Sequence, residues 1–142
     1  MKKLLIVDDN DKYSGILQEY FKNLGYEIDI ARTAQEGLDT FRNRSQDHYS
    51  VIVTDITMES QTAGLGMLSR IRKLGFGGTI VVASTGFDFP SVITLSRIFL
   101  KRLGVHYLVR KTTVLQKEPK FWPIGFFEKP RSSFEEIHGK SA

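Results

Sequence analysis

An apolar run that ends on a carboxylate constrains this chain more than any other feature. The segment Val51-Ile52-Val53-Thr54-Asp55 lacks polar–apolar alternation, as expected for a strand of a parallel sheet that is buried on both faces. An Asp at the end of such a strand lies at the carboxyl edge of the sheet, where open α/β folds place their ligand chemistry. The run therefore predicts a buried strand that presents a functional carboxylate, Asp55.

A second run of the same kind opens the chain. Residues 4–7 are apolar and are followed by Asp8 and Asp9. If the two strands are neighbours in one parallel sheet, three carboxylates converge on one small volume. Because like charges repel strongly at such distances, a bound cation is the natural way to hold them together.

Strand and helix patterns alternate along the chain as far as Gly104. Further strands are predicted over 26–31 and 79–84, and helices over 11–24, 33–46, 64–74 and 90–103. Repeated strand–helix units with short connections predict an α/β fold, a doubly wound parallel sheet with helices on both faces. The length of 142 residues suits one domain, 1–142.

The part of the chain after Gly104 offers two candidates for a fifth strand. These are residues 105–110 and 124–128, and the two can also pair as a hairpin. An insertion of about 105–123 is therefore predicted between strand 4 and a short terminal helix, which a capping box at 132–135 opens.

Composition excludes several classes of protein. A hydrophobic fraction of 41% with 25% charged residues is typical of globular proteins, and the absence of cysteine excludes disulfides and thiolate metal sites. No apolar run is long enough for a signal peptide or a membrane span, so we expect a soluble cytoplasmic protein with no membrane contact. The stretch from Arg97 to Arg131 contains nine lysines or arginines and only two acidic residues. No nucleic-acid-binding pattern accompanies this basic patch, so direct nucleic-acid binding is not expected.

Four motifs occur in the right order for a known family: Asp8-Asp9 after the first strand, then Asp55, Thr85-Gly86 and Lys129-Pro130. Together they resemble the receiver (CheY-like) domain of two-component response regulators, which has a flavodoxin-like (βα)5 fold with a parallel five-stranded sheet. The resemblance implies phosphorelay signalling, in which a histidine kinase or phosphotransfer protein supplies a phosphoryl group. It also implies a phosphoacceptor that catalyses its own phosphotransfer and slow autodephosphorylation, rather than an enzyme with turnover.

The resemblance assigns roles to particular residues. Asp55 would be the phosphoacceptor and a ligand of Mg²⁺, together with Asp8, Asp9 and the backbone carbonyl of Thr57. Mg²⁺ favours carboxylates, phosphate oxygens and water as ligands, so this chemistry is consistent. Thr85 would donate its hydroxyl to the phosphoryl group.

The site lysine has two candidates. Lys129 is favoured because Phe126 stands three residues before it and Pro130 follows, as in the family. Lys111 is the alternative: Tyr107 stands four residues before it, and no proline follows. Thr85 and Phe126 would be the switch residues that respond to phosphorylation.

The loop after Asp55 departs from the family pattern. Met58-Glu59 replaces the usual Met-Pro, and Gly64 comes one residue late. Two residues after Asp55 stands Thr57, and two after Thr85 stands Phe87. Neither carries an amide or a carboxylate that could orient water, so slow loss of the phosphoryl group is expected.

Three hypotheses follow for function. The leading one is a stand-alone receiver whose output is contact with a downstream protein target, with the insertion and the basic patch as partner determinants. The alternative is an interaction module with the receiver fold that does not depend on phosphorylation. A Mg²⁺-dependent phosphohydrolase ranks last, because such enzymes usually carry a second Asp where this chain has Thr57.

Overall fold

A sheet of six strands crosses the middle of the structure, a computed structural model that describes residues 2–55, 63–84, 101, 104–123 and 133–134. Its strands are β1 (Lys2–Val7), β2 (Tyr26–Ala31), β3 (Val51–Asp55), β4 (Thr79–Ser84), β5 (Tyr107–Arg110) and β6 (Phe121–Pro123). The helices are α1 (Asp11–Asn23), α2 (Ala34–Arg42), α3 (Ala63–Lys73) and the short α4 (Lys111–Leu115).

The strands follow the order β2-β1-β3-β4-β5-β6, and the first five are parallel. The chain starts in the middle of the sheet, adds β2 on one side, and then crosses over to add β3, β4 and β5 on the other. The direction of winding therefore changes between β1 and β3, and the crevice at their carboxyl ends is where such sheets bind ligands. The predicted doubly wound parallel fold is confirmed.

The number of strands differs from the predicted five. A sixth strand, β6, pairs antiparallel with β5, so that Val109 faces Phe121 across the ladder. The chain reverses after α4 through a turn in which Lys117 adopts a positive φ of 59°. In β6 the ring of Phe121 is completely buried among the rings of Tyr20, Phe21, Tyr107 and Phe134, which favours this additional edge strand.

The segment 105–123 thus contains β5, α4 and β6. Its first strand candidate, 105–110, forms β5 and provides the fifth parallel strand. The second candidate, 124–128, lies outside the described residues, as do most of the predicted helix 90–103 and of the terminal helix. A hairpin does form here, but between β5 and residues 121–123.

Two apolar layers cover the two faces of the sheet. One face packs against α2 and α3, through strand residues such as Leu5, Ile52 and Val82. The other face packs against α1 and α4 and includes Phe134; its buried strand residues are Leu4, Ile6, Tyr26, Val51, Val53, Val81, Ala83, Tyr107, Val109 and Phe121. We call this second face the α1 face. Among the described residues, no helix has the length and apolar character needed to cross a bilayer.

Arg72, near the end of α3, connects two loop segments, the one between α3 and β4 and the one before β5. Its guanidinium donates hydrogen bonds to the carbonyl oxygens of Phe76 at 2.8 Å, Gly78 at 3.0 Å and Gly104 at 2.5 Å. Gly104 has a φ of +76°, and a Cβ added there would lie 2.8 Å from Arg72 Nε. Since Gly104 precedes β5, Arg72 helps to fix the strand that leads to Lys111.

We expect Arg72→Met to lower the free energy of unfolding by about 2–3 kcal/mol, because three carbonyl groups lose a charged donor. Arg72→Lys should recover only part of this, since one ammonium cannot reproduce the planar fork. Urea denaturation followed by circular dichroism measures both. Arg70→Met is the matched control on the exposed side of α3, with an expected change within about 0.5 kcal/mol. Equal effects of the two Met variants would contradict the role of Arg72.

Candidate functional site

Three charged side chains extend the α1 face at the carboxyl edge of the sheet. Side chains two residues apart in a strand share a face, so Asp8 continues the series of Leu4 and Ile6. By the same rule Asp55 follows Val53. Lys111 stands two residues after Val109 and one residue past the end of β5. The alternation of the strands therefore brings two acids and one base to the same corner of the fold.

The ammonium group of Lys111 lies between the two buried carboxylates. Its Nζ donates a hydrogen bond to Asp55 Oδ2 at 2.8 Å and forms an ion pair with Asp8 Oδ2 at 2.9 Å. To reach Asp55 from β5, the lysine side chain passes over the end of β4. Ala83 lies opposite both Asp55 and Val109 there, and its small side chain leaves room for the crossing.

All three groups are almost completely withdrawn from water: Asp8 is 1%, Asp55 5% and Lys111 3% exposed. Burial raises the pKa of the Asp8 carboxyl, although the hydrogen bond with Lys111 opposes this. Burial alone would lower the pKa of Lys111, but its hydrogen bonds to Asp55 and Asp8 outweigh burial and raise the pKa. One ammonium shared by two carboxylates explains both directions, and Lys111 remains charged at neutral pH.

The start of α1 orients the Asp8 carboxylate. Asp8 Oδ1 accepts a hydrogen bond from the backbone N–H of Asn10 at 2.9 Å. Asn10 is also the N-cap of α1, and its side-chain oxygen accepts from the N–H groups of Lys12 at 3.0 Å and Tyr13 at 3.3 Å. The cap therefore couples the position of a site carboxylate to the first turn of the helix.

Three carboxylates in this corner suit a divalent cation. One oxygen from each of Asp8, Asp9 and Asp55 lies within 4.8 Å of the other two, and Asp9 is the exposed member. In an octahedral Mg²⁺ site adjacent ligand oxygens are about 2.9 Å apart and opposite ones about 4.2 Å, so the three oxygens would move closer together to share one ion. With Lys111 the cluster carries three negative charges and one positive charge. The donor atoms and the net charge of the site therefore fit Mg²⁺.

The structure brings together four of the residues considered from the sequence: Asp8, Asp9, Asp55 and the alternative lysine, Lys111. The other candidates, Thr57, Thr85, Phe126 and Lys129, lie outside the described residues, so their roles stay predictions.

Two further residues of the site were missed from the sequence, Asn10 and Tyr13. A signal for Asn10 was available, because Asn is a preferred N-cap residue and stands directly before the predicted helix. Tyr13 lies one helical turn before Leu17, which belongs to the apolar stripe of α1. The centroid of the Tyr13 ring lies 4.4 Å from Lys111 Nζ. Helical spacing places Tyr13 on the buried side of α1, but its contact with a residue 98 positions later is not a local pattern.

We expect Lys111→Met to lower the free energy of unfolding by about 3 kcal/mol in metal-free buffer, because two buried carboxylates lose their shared counter-ion. Chemical denaturation in the presence of a chelator measures this. Lys120→Met, at an exposed lysine, is the control. A loss of about 1 kcal/mol or less, typical of surface ion pairs, would contradict a buried charge cluster.

Comparison with known proteins places this chain in a family. The family model described as "Response regulator receiver domain" matches residues 4–113 and thus ends inside the segment predicted to be an insertion. An uncharacterized transcriptional regulatory protein of Bacillus subtilis, YkoG, is 28% identical over 91 residues, which cover 64% of this chain and 38% of that protein. The sensor histidine kinase RcsC of Escherichia coli is 31% identical over 72 residues, covering 51% of this chain and 7% of RcsC. The chain therefore spans well under half the length of either relative.

Solved receiver structures share the fold. The CheX–CheY complex of Borrelia burgdorferi, solved with BeF₃ and Mg²⁺, includes a chain with a TM-score of 0.66 and 21% identity, covering 82% of this chain and 85% of that one. A receiver domain from Clostridium thermocellum gives a TM-score of 0.64 at 18% identity, covering 82% and 94%. At these identities the likeness shows the fold alone. With the family match over residues 4–113, the chain belongs to the response regulator receiver domain family, the phosphoacceptor domains of two-component signalling.

Proposed function

We propose that Asp55 accepts a phosphoryl group from a histidine kinase or phosphotransfer protein, and that Lys111 stabilises the transferred group. The observation that carries this proposal is the hydrogen bond of 2.8 Å between Lys111 Nζ and Asp55 Oδ2 in a corner that also holds Asp8 and Asp9. A carboxylate can act as nucleophile toward phosphorus, and a cation already placed beside it can stabilise the negative charge of the transferred group.

In the proposed transfer, a carboxylate oxygen of Asp55 forms a bond to phosphorus. The bond from phosphorus to the donor breaks, and its electron pair stays with the donor. The product is an acyl phosphate on Asp55. Mg²⁺ held by Asp8, Asp9, Asp55 and the Thr57 carbonyl would supply neutralisation of charge on the transferred group. The hydroxyl of Thr85 would donate a further hydrogen bond to a phosphoryl oxygen.

Lys111 is proposed as the site lysine in preference to Lys129. Its Nζ is within hydrogen-bond distance of the phosphoacceptor, and its charge is maintained by two carboxylates. A phosphoryl oxygen on Asp55 would replace a carboxylate oxygen as the partner of the ammonium. Lys129 remains the alternative, and phosphorylation of the Lys111→Met and Lys129→Met variants distinguishes the two lysines.

We further propose that the output is contact with a downstream protein, with Thr85 and Phe126 as the switch residues. The turn that joins α4 to β6 offers an exposed surface for such contact, with Leu115 39% exposed and Lys117 and Lys120 beside it. Lys111 and Phe121 are buried, so single substitutions on this turn test partner binding better than its deletion. Action as a stand-alone cytoplasmic protein stays a prediction from the sequence.

One observation favours the alternative of an interaction module that does not use phosphorylation. Lys111 already compensates part of the charge of Asp8 and Asp55, so the carboxylates can be held together without a metal ion. On that hypothesis the cluster stabilises the fold, and no acyl phosphate forms.

Incubation with acetyl phosphate and Mg²⁺, followed by intact-protein mass spectrometry, tests the proposal. We expect one phosphoryl adduct on the wild type and none on Asp55→Asn, which keeps the shape of the side chain but not the nucleophile. Lys111→Met should reduce adduct formation by at least about tenfold, as expected when a charged group that stabilises the transferring phosphoryl is lost. Lys129→Met should retain it.

Wild type without an adduct, under conditions in which it is folded, would contradict the phosphoacceptor proposal and favour the interaction module. Loss of the adduct in Lys129→Met but not in Lys111→Met would reverse the assignment of the lysine. After removal of acetyl phosphate, the decay of the adduct tests the expected slow autodephosphorylation, and a lifetime of only seconds would contradict it.

A further inference from the structure

We propose that Tyr13 is a positioning residue that holds the Lys111 ammonium at the phosphoacceptor through the face of its ring. This inference rests on the proposed function, because it concerns the rate at which Asp55 is phosphorylated. It also has a structural consequence, the protection of Lys111 from solvent, which can be measured whether or not phosphorylation occurs.

The Lys111 ammonium has three described partners around it. Its Nζ lies 2.8 Å from an oxygen of Asp55, 2.9 Å from an oxygen of Asp8 and 4.4 Å from the centroid of the Tyr13 ring. An ammonium carries three N–H donors, and an aromatic face within about 6 Å attracts a cation. The ring therefore adds an aromatic contact to the two carboxylate contacts of the ammonium.

The position of the ring is fixed by the same cap that orients Asp8. Asn10 accepts a hydrogen bond from the backbone N–H of Tyr13, and its own N–H donates to Asp8. The ring is partly buried against the apolar residues of the α1 face. Helix α1 also packs against α4, which begins at Lys111. Tyr13 and Lys111 are thus held from two elements that contact each other.

The ring affects the reaction because its interaction with the cation does not depend on which oxygen the ammonium bonds. During transfer the ammonium exchanges carboxylate oxygens for a phosphoryl oxygen, whereas the face of Tyr13 remains available throughout. Without the ring, water can solvate the ammonium, and the lysine side chain gains freedom to leave the site. We therefore expect loss of the aromatic face to slow phosphorylation of Asp55 by about 5- to 30-fold.

Two substitutions separate the aromatic face from the volume of the side chain. Tyr13→Phe keeps the face, and Tyr13→Leu keeps apolar bulk without it. In the Phe variant, the rate of adduct formation with acetyl phosphate and Mg²⁺ should be close to that of wild type. In the Leu variant it should be about 5- to 30-fold lower. Labelling with an amine-reactive ester, read by peptide mass spectrometry, should show Lys111 protected in wild type and Tyr13→Phe and labelled faster in Tyr13→Leu. The exposed neighbour Lys12 serves as the internal reference.

Tyr20→Leu is the control for removing an aromatic ring from α1. Tyr20 packs against Phe21 and Phe121 and accepts a hydrogen bond from the Phe134 N–H. Its loss should lower stability but leave the phosphorylation rate and the Lys111 labelling of the folded protein unchanged.

Equal phosphorylation rates and equal Lys111 labelling in the Phe and Leu variants of Tyr13 would overturn the inference. An effect of Tyr20→Leu as large as that of Tyr13→Leu would overturn it too, because it would indicate general loosening of α1. If wild type forms no adduct, the proposed function fails, and the labelling comparison still decides whether Tyr13 holds Lys111.

Discussion

The structure of the site depends on one buried ammonium shared by two buried carboxylates. Removing charged groups from water costs several kcal/mol for each ion, and only close pairing offsets this. Lys111 provides that pairing for Asp8 and Asp55 at 2.9 and 2.8 Å. Without a cation at this position, the two strand ends that meet there would carry unbalanced negative charge. Buried charges need partners of opposite sign. The carboxylates therefore suit a divalent cation, and the ammonium suits a negatively charged phosphoryl group.

The parallel sheet makes this pairing possible across long distances in sequence. Strands β1, β3 and β5 end at one edge, and their alternation directs Asp8, Asp55 and Lys111 to the α1 face. Helix α1 then covers that corner and is coupled to it through Asn10. Burial by the helix lowers the local polarity, which strengthens each electrostatic contact inside the site. Fold and reactivity therefore arise from the same arrangement.

Much of this was predictable from the sequence, because the strand boundaries and the acids at their ends are local patterns. Apolar runs that end on Asp8 and Asp55 predicted carboxylates at two strand ends, and the structure has both buried there. The lysine was harder to assign. A family motif favoured Lys129, which the structure does not describe. The alternation of side chains along β5 would have favoured Lys111. It lies two residues after Val109 and so continues the alternation of β5. The sixth strand and the Tyr13 contact depend on long-range packing, which periodicity alone does not encode.

The central claim is that Lys111 is the cation that pairs with a phosphoryl group on Asp55. A crystal structure of the protein with beryllium fluoride and Mg²⁺ tests it most directly, because the fluoride complex of an aspartate stands in for the acyl phosphate. We expect the adduct on Asp55, the metal ion among Asp8, Asp9 and Asp55, and Lys111 Nζ within hydrogen-bond distance of a fluorine. An adduct contacted by Lys129 while Lys111 remains on Asp8, or no adduct on Asp55, would contradict it.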